Sequence, residues 1–354
     1  MFDGTSVIDC HGHMSSPPEF RGQMAQLIAL RTSMGQMHFD DDRWRGPLER
    51  HIRVMDERRI DVQLLSPRPV AMMHWERPHL VTAWTETTNR AIEYICEKYP
   101  ERYAGIAMLP QSSTESTERC ADVLEEWVKN RGFVGALLNP DPGADRKTPG
   151  MNDPYWFPLY ERSEALGAPL IVHPSITRDP RVDIISHSYQ YNNVTEELLA
   201  MLLLQQSDVF GRFPALRVVV CHCGGAIDRF ITDGESSGQA GGGSVSVERS
   251  NNAEMVEVGR DVTNNLFVDS AVYDPWLLMA GVKKFGVERM LLGTESPGSG
   301  TSVLNPLTKK PSDDLVATFE KIDFLSDEDR KKIFHDNALK VFPLLKNGKT
   351  LAAK

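Results

Sequence analysis

The chain has 354 residues, with 39 Lys and Arg against 49 Asp and Glu (formal net charge −10), 41% hydrophobic and 25% charged. This is the balance of a folded globular protein, and the acidic excess argues against nucleic acid or an anionic membrane as partner, because their phosphates would be repelled. No apolar run approaches the ~20 residues of a membrane span, Met1-Phe2-Asp3-Gly4 lacks the basic-then-apolar order of an export signal, and five cysteines form no disulfide framework, so a reducing, cytoplasmic setting is expected.

Eight short, mostly apolar runs punctuate the chain, each ending in polar or ionisable residues. The first, Val7 to His11, leads into Gly12-His13 and then into Met14 to Pro47, a Met-, Gln- and Arg-rich stretch expected to be a long loop. Val62 to Pro67 and Tyr103 to Pro110 follow; Thr114 to Asn130 then has helical spacing, with Cys120, Val123, Leu124 and Trp127 on one face. Gly135 to Pro140 and Pro169 to Ser175 are the next two strands, and Val194 to Gln206 the next helix. Val218 to Gly224 precedes a Gly- and Ser-rich excursion within 231–260 that reads as a flexible insertion. Leu266 to Ala271 and Met290 to Glu295 complete the set. Continuous runs such as Leu170-Ile171-Val172 and Val218-Val219-Val220 suit parallel strands buried on both faces. Strands alternating with helices define an α/β chain, here a (β/α)8 TIM-type barrel with long top-face insertions (14–47 and 231–260), in one domain over 1–354. No GxGxxG or GxxxxGK[ST] follows a strand, which removes the usual nucleotide signatures.

The chemistry gathers at one rim. His11 and His13, two apart on an extended strand, point to the same side, and the fifth, sixth and eighth strands end at His173, His222 and Glu295. Three imidazoles from His11, His13 and His173 with a carboxylate form an N/O set that leaves a position open on one divalent metal, Zn2+ foremost, with Mn or Fe alternatives that these donors do not exclude. Asp9 either orients a ligand or is a buried structural carboxylate. Cys221 and Cys223 alternate away from His222, so thiolate ligation is not expected; Cys223 is placed near the pocket entrance. Arg68, at the end of the second strand, either clamps a substrate carboxylate or pairs at the surface. Asn139 is a candidate donor to a substrate oxygen, and His187, Tyr189 and Tyr191 are candidate pocket-lining residues.

Ile8-Asp9-Cys10-His11-Gly12-His13, His173, Val220-Cys221-His222 and Phe334-His335-Asp336-Asn337-Ala338 resemble the amidohydrolase superfamily, in the branch around aminocarboxymuconate-semialdehyde decarboxylase, over essentially the whole chain. Within it, Leu65-Ser66-Pro67-Arg68-Pro69, Met108-Leu109-Pro110-Gln111, Leu138 to Pro142 and Leu292-Gly293-Thr294-Glu295 look most like meta-cleavage-product C–C hydrolases and 4-oxalomesaconate hydratases of lignin catabolism. The resemblance implies His11, His13, His173 and Glu295 as metal ligands, His222 as general acid/base and Arg68 as carboxylate binder. Decarboxylases of the branch commonly have Asp where this chain has Glu295, which tilts the expectation toward water chemistry. Relatives commonly carry His-Gly-Gly-Gly where this chain has His222-Cys223-Gly224-Gly225, which narrows the space beside the base. The expected function is therefore a metal-dependent hydrolase or hydratase that activates water on a carboxylated oxo- or hydroxy-dienoate from aromatic ring cleavage. The alternative is a non-oxidative decarboxylase of an aromatic or muconate-type acid at the same metal site. The expected partners are a small carboxylated substrate and a second copy of the chain in a homodimer.

Overall fold

The computed structural model describes residues 1–32, 35, 37–186, 188–225, 265–346 and 349–350. Eight strands lie in sequence order: β1 (Ile8–His13), β2 (Val62–Ser66), β3 (Tyr103–Ala107), β4 (Gly135–Leu138), β5 (Leu170–Val172), β6 (Val218–Val220), β7 (Leu266–Asp269) and β8 (Met290–Leu291). Each pairs in parallel with the next. The last meets the first through Cys10 N–H donating to the Leu292 carbonyl and Glu295 N–H to the His11 carbonyl, both at 2.8 Å. The sheet thus closes into a barrel with no free edge. Every residue of β5 and β6 is at most 2% exposed, as strands covered on both faces require.

After β1, the strands are shorter than the apolar runs. Pairing stops at Ser66, Ala107, Leu138, Val172, Val220, Asp269 and Leu291, and the residues beyond turn away at the rim. Apart from His11 and His13, which end β1 itself, the chemistry-bearing positions therefore sit in loops held by a rigid barrel.

One expectation needs correction. Met14 to Pro47 is not one long loop: it contains α1 (Pro18–Leu30) and the start of α2 (Asp41–Glu57). Pro18 opens α1 where its missing N–H is no loss, and the Asp40 carboxylate caps α2 by accepting from Asp42 N–H at 2.9 Å. Only Phe20 and Leu27 of α1 are buried, so the helix has too narrow an apolar stripe to show as a period.

Outside the barrel run α3 (Pro78–Lys98), α4 (Glu118–Arg131), α5 (Phe157–Leu166) and α6 (Ser188–Gln205). On α4, Cys120, Leu124 and Trp127 are buried as the spacing predicts, with Val123 partly so. The 231–260 insertion lies outside the described residues. Near the C-terminus, Asn337 Nδ2 donates to the Val287 and Met290 carbonyls, both at 2.8 Å, and anchors the start of β8. Among the described residues, no helix is long and apolar enough to cross a membrane.

Candidate metal centre and active site

Strand β1 delivers His11 and His13, each 3% exposed, to the rim, and His173 follows β5 directly, 2% exposed. Each imidazole donates from Nδ1. His11 gives its proton to Asp269 Oδ2 at 2.7 Å and His173 to the Pro174 carbonyl at 2.8 Å. The Ser66 hydroxyl donates to Gly12 O at 2.9 Å, so it accepts from His13 Nδ1 at 2.8 Å. All three Nε2 atoms are therefore left as lone pairs facing one point. His11 Nε2 and His13 Nε2 lie 3.2 Å apart, and His173 Nε2 is buried with no partner. A buried orphan beside two converging lone pairs is costly in a neutral site and is what a cation repays. With Glu295 these donors all lie within 4.8 Å of one another, so the residues fit a single divalent ion. Burial and the neighbouring imidazoles hold His13 and His173 well below the ordinary histidine pKa, in the neutral state a ligand needs. Burial also disfavours a charged His11, but Asp269 overrides it and raises the pKa; the same carboxylate, itself brought down to about 2 against burial by the charge and hydrogen bond of His11, makes Nε2 a stronger donor.

Glu295 leaves β8 with φ +55°, in the left-handed region that a non-glycine residue occupies only under constraint. Its Oε1 lies 4.0 Å from His13 Nε2. Its Oε2 accepts from the Tyr273 hydroxyl at 2.9 Å and the Ser299 hydroxyl at 3.3 Å. One oxygen is thus free to ligate while the other is tethered. Burial alone would raise this carboxyl, yet the nearby His222, with His11 and His13, holds it well below the usual range.

The preceding residues build this geometry. A Cβ on Gly293 would lie 2.7 Å from Asp269 Cβ and 2.9 Å from His11 Cβ, so the glycine is what lets those side chains meet across β8. Thr294 donates to Asp9 from both N–H (3.0 Å) and Oγ1 (2.6 Å). Asp9 also accepts from His11 N–H at 3.0 Å and Gln63 Nε2 at 2.7 Å. Asp9 therefore touches no imidazole: of its two expected roles the structural one holds, as a clamp between β1 and the end of β8. Asp269 is the carboxylate that orients His11. Gly12 makes room for Gln63, whose side chain a Cβ would meet at 2.1 Å, rather than for an ion.

The run Val218 to Gly224 does not stay extended. His222 (φ 49°, ψ 44°) and Cys223 (φ 59°, ψ 35°) are left-handed, so strict alternation fails there. Cys223 is fully buried instead of lining an entrance, and Cys221 faces His11 and Asp269 instead of turning away. Burial, with Asp269 and Glu197 nearby, pushes the Cys221 thiol well above its ordinary pKa, so it is a neutral neighbour and no thiolate ligand. The turn packs on α6: a Cβ on Gly225 would strike Val194 O at 2.4 Å and Leu198 N at 2.5 Å. That approach brings Glu197, fully buried, to His222, whose Nδ1 donates to Glu197 Oε1 at 2.8 Å. Nε2 then faces the metal ligands, 3.9 Å from Glu295 Oε2. Burial opposes a charged His222, but Glu197 and Glu295 outweigh it and raise its pKa well above 6.5. The Nε2 of a carboxylate-paired histidine is thus aimed across the ligand cluster, the placement that general acid–base chemistry requires.

The outer candidates divide. Arg68 is half-buried at the end of β2, with one 3.4 Å contact from NH2 to Pro297 O and no carboxylate partner among the described residues. Asn139 is 1% exposed; its Oδ1 accepts from Asp141 N–H (3.1 Å) and Ser175 N–H (3.3 Å), and its Nδ2 donates to His74 Nδ1 (3.1 Å). Its amide is largely committed to the loops after β4 and β5. Tyr191 is 54% exposed on α6, and His187 and the Tyr189 side chain lie outside the described residues. Sequence reasoning missed Asp269 and Glu197. The first ends an apolar strand in an acid, as Glu295 does; the second interrupts the buried Ala200, Met201 and Leu204 stripe of α6.

A closed parallel barrel with a His/His/His/Glu cluster at the carboxyl ends of its strands defines a metal-dependent barrel enzyme. The amidohydrolase family model matches residues 8–344, and the chain belongs to that family, in the superfamily branch that its sequence resembles. It is 30% identical over 349 residues to a 2-keto-4-carboxy-3-hexenedioate hydratase of Sphingobium sp., covering 96% of both chains. A crystal structure of 4-oxalomesaconate hydratase from Rhodopseudomonas palustris superposes with TM-score 0.80 at 26% identity, over 97% of each chain. A dihydroxybenzoic acid decarboxylase from Polaromonas sp., solved with manganese and an inhibitor, shares the fold at TM-score 0.67 and 20% identity, over 97% of this chain and 98% of that one.

Proposed function

We propose that this chain is a lyase acting on a carboxylated product of aromatic ring cleavage, at one divalent metal held by His11, His13, His173 and Glu295. The observation that carries the reading is the set of three preset Nε2 lone pairs beside His222, whose Nδ1 donates to a buried Glu197. A bound Zn2+ or Mn2+ would polarise a substrate oxygen and lower the pKa of a water molecule. The chain's own residues do the rest. Arg68 holds a carboxylate, Tyr273 and Ser299 tether the non-ligating oxygen of Glu295, and His222 delivers a proton from Nε2 to the carbon that has gained negative charge. That protonation is common to two outcomes: water adding across a conjugated alkene, and CO2 leaving from a dienolate-forming acid. The full-length hydratase relatives support the first; the decarboxylases that recur among relatives of this chain support the second. The donor set accepts either metal. We also propose that the protein works with its thiols reduced, in the cytoplasm, and as a homodimer; all five cysteines are free in the structure.

The test is incubation of the metal-loaded protein with a panel of ring-cleavage dienoates, read by product mass. Gain of water identifies a hydratase and loss of CO2 a decarboxylase, whereas two smaller acids, the C–C hydrolysis expected alongside hydration from the sequence, would overturn the lyase reading in favour of a hydrolase. No change in mass with any acid, by a protein that retains stoichiometric metal, overturns the reading.

A further inference from the structure

Of the four metal-ligating residues, only Glu295 has a left-handed backbone, which persists in a non-glycine residue only where its neighbours over-determine it. Upstream, Thr294 is tied to Asp9. Downstream, every polar group of Ser296 is bonded. Its N–H donates to Thr294 Oγ1 at 3.0 Å, its carbonyl accepts from Gln63 Nε2 at 2.8 Å, and its hydroxyl donates to Asp313 Oδ2 at 3.0 Å. Two of these bonds lead out of the barrel to α2. Gln63 Oε1 accepts from His51 Nε2 at 2.7 Å, and Asp313 Oδ1 accepts from Arg58 Nε at 2.9 Å. Asp313 is wholly buried and Arg58, which caps α2, nearly so. Asp313 also stands at the far end of the loop that Ser296 begins. It accepts from Thr301 Oγ1 at 2.6 Å, and that oxygen in turn accepts from Gly298 N–H at 2.9 Å. The loop doubles back so closely that a Cβ on Gly298 would lie 2.1 Å from Glu295 O. A buried ion pair adds little net stability over apolar side chains of equal volume, because desolvating both charges offsets their attraction. What it adds is direction, since the rigid guanidinium fork holds the carboxylate in one orientation.

We infer that Arg58 and Asp313 are positioning residues for Glu295: the buried pair pins Ser296 and so sets where the ligating oxygen of Glu295 stands, without touching metal or substrate. The inference rests on the reading of Glu295 as a metal ligand and adds to it the device that holds this ligand in its constrained backbone.

The readout is metal release, not turnover. Protein loaded with Zn2+ is mixed with excess chromophoric chelator and the release rate is followed; loading with Co2+ gives the visible spectrum of the site. Asp313→Asn and Arg58→Gln should release Zn2+ roughly 10-fold faster or more, the usual cost of loosening a group that orients a ligand, with Arg58→Lys in between. Their Co2+ spectra should shift toward that of Glu295→Gln. In a Glu295→Gln background the same substitutions should change release by less than about 2-fold, because their route to the site is gone. Arg59→Gln is the control: Arg59, next in the chain, pairs with Glu320 at the surface, and its loss should leave release as it was. Where Asp313→Asn fails to fold, Ser296→Ala takes its place, removing one bond to Asp313 and no charge; it should release Zn2+ about 2- to 10-fold faster. Wild-type release from the deciding variant, or an equal acceleration with Glu295 already replaced, overturns the inference and leaves the metal centre standing. Wild-type release from Glu295→Gln itself removes that carboxylate from the ligand set, and the inference with it.

Discussion

Gly293→Ala is the most direct test of how the metal site is built. Gly293 has no positive φ, so alanine is conformationally permitted and the substitution tests clearance alone. The added methyl would lie 2.7 Å from Asp269 Cβ and 2.9 Å from His11 Cβ, against about 3.5–4.0 Å for an ordinary carbon contact. Relative to the new methyl, Asp269 must then give way by about 0.8–1.3 Å and His11 by about 0.6–1.1 Å, enough to break the 2.7 Å bond between them. His11 loses the group that fixes its tautomer and sharpens its donor, so metal affinity should fall by about 10- to 100-fold. Overpacking should cost about 1–3 kcal/mol, which in a chain of this size lowers the melting temperature by roughly 1–4 °C. Affinity is measured by competition with a chromophoric chelator, and stability by thermal melts with and without metal. The two changes share one cause, so Gly293→Ala should cost less metal affinity in an Asp269→Asn background than in the wild type. A Gly293→Ala protein with wild-type metal affinity would refute this account of the glycine.

Glu197→Gln removes the charge that raises His222; turnover should fall by about 10²- to 10⁴-fold with metal content unchanged, and wild-type turnover would exclude the dyad. Because the folded pKa of His222 is raised, its proton persists above neutrality, and activity in the wild type falls only as pH rises through that raised value; in Glu197→Gln the same alkaline limb should move down toward about 6.5. The linked stability has the same sign: the gap between wild type and variant in denaturant melts should be full below about 6.5 and close as pH rises through the raised pKa. Tyr273→Phe unties one oxygen of Glu295 and should lower turnover by about 10-fold or more, with faster metal loss to chelator; unchanged turnover and metal retention would show that the hydroxyl does not position the ligand. Asp9→Asn replaces a four-bond acceptor with a group that turns an NH2 toward donors, and should cost about 1–3 kcal/mol per donor left unpaired, measured as a lower unfolding midpoint.

The donor atoms of the site were legible because each ends an apolar strand, where residue type and position both carry meaning: His11, His13, His173 and Glu295 come together as their strands predict. Their partners were not legible for two physical reasons. Asp269 and Glu197 act through space, 258 and 25 residues from the histidines they hold, and no periodicity links them. The turns at His222 and Glu295 depart from the extended backbone that an alternation argument assumes, so Cys221 faces the site and Cys223 is buried away from any entrance, against expectation. Composition also misled at Met14 to Pro47, where a helix with two buried apolar residues resembles a loop. The barrel itself survived because continuous Val, Ile and Leu runs have few other uses in a chain of this length.

The Asp9 clamp has a consequence for the order of folding. It joins β1 to a segment 285 residues later, and Glu295 N–H closes onto His11 O across the same seam. Loop closure over that span is among the slowest contacts the chain can make. During synthesis β1 waits, its histidines in place but without their carboxylate, until almost the whole sequence has emerged. Metal capture by the complete donor set is then a terminal event, and a chain truncated before Glu295 would fold toward a barrel with an open seam and only part of a binding site.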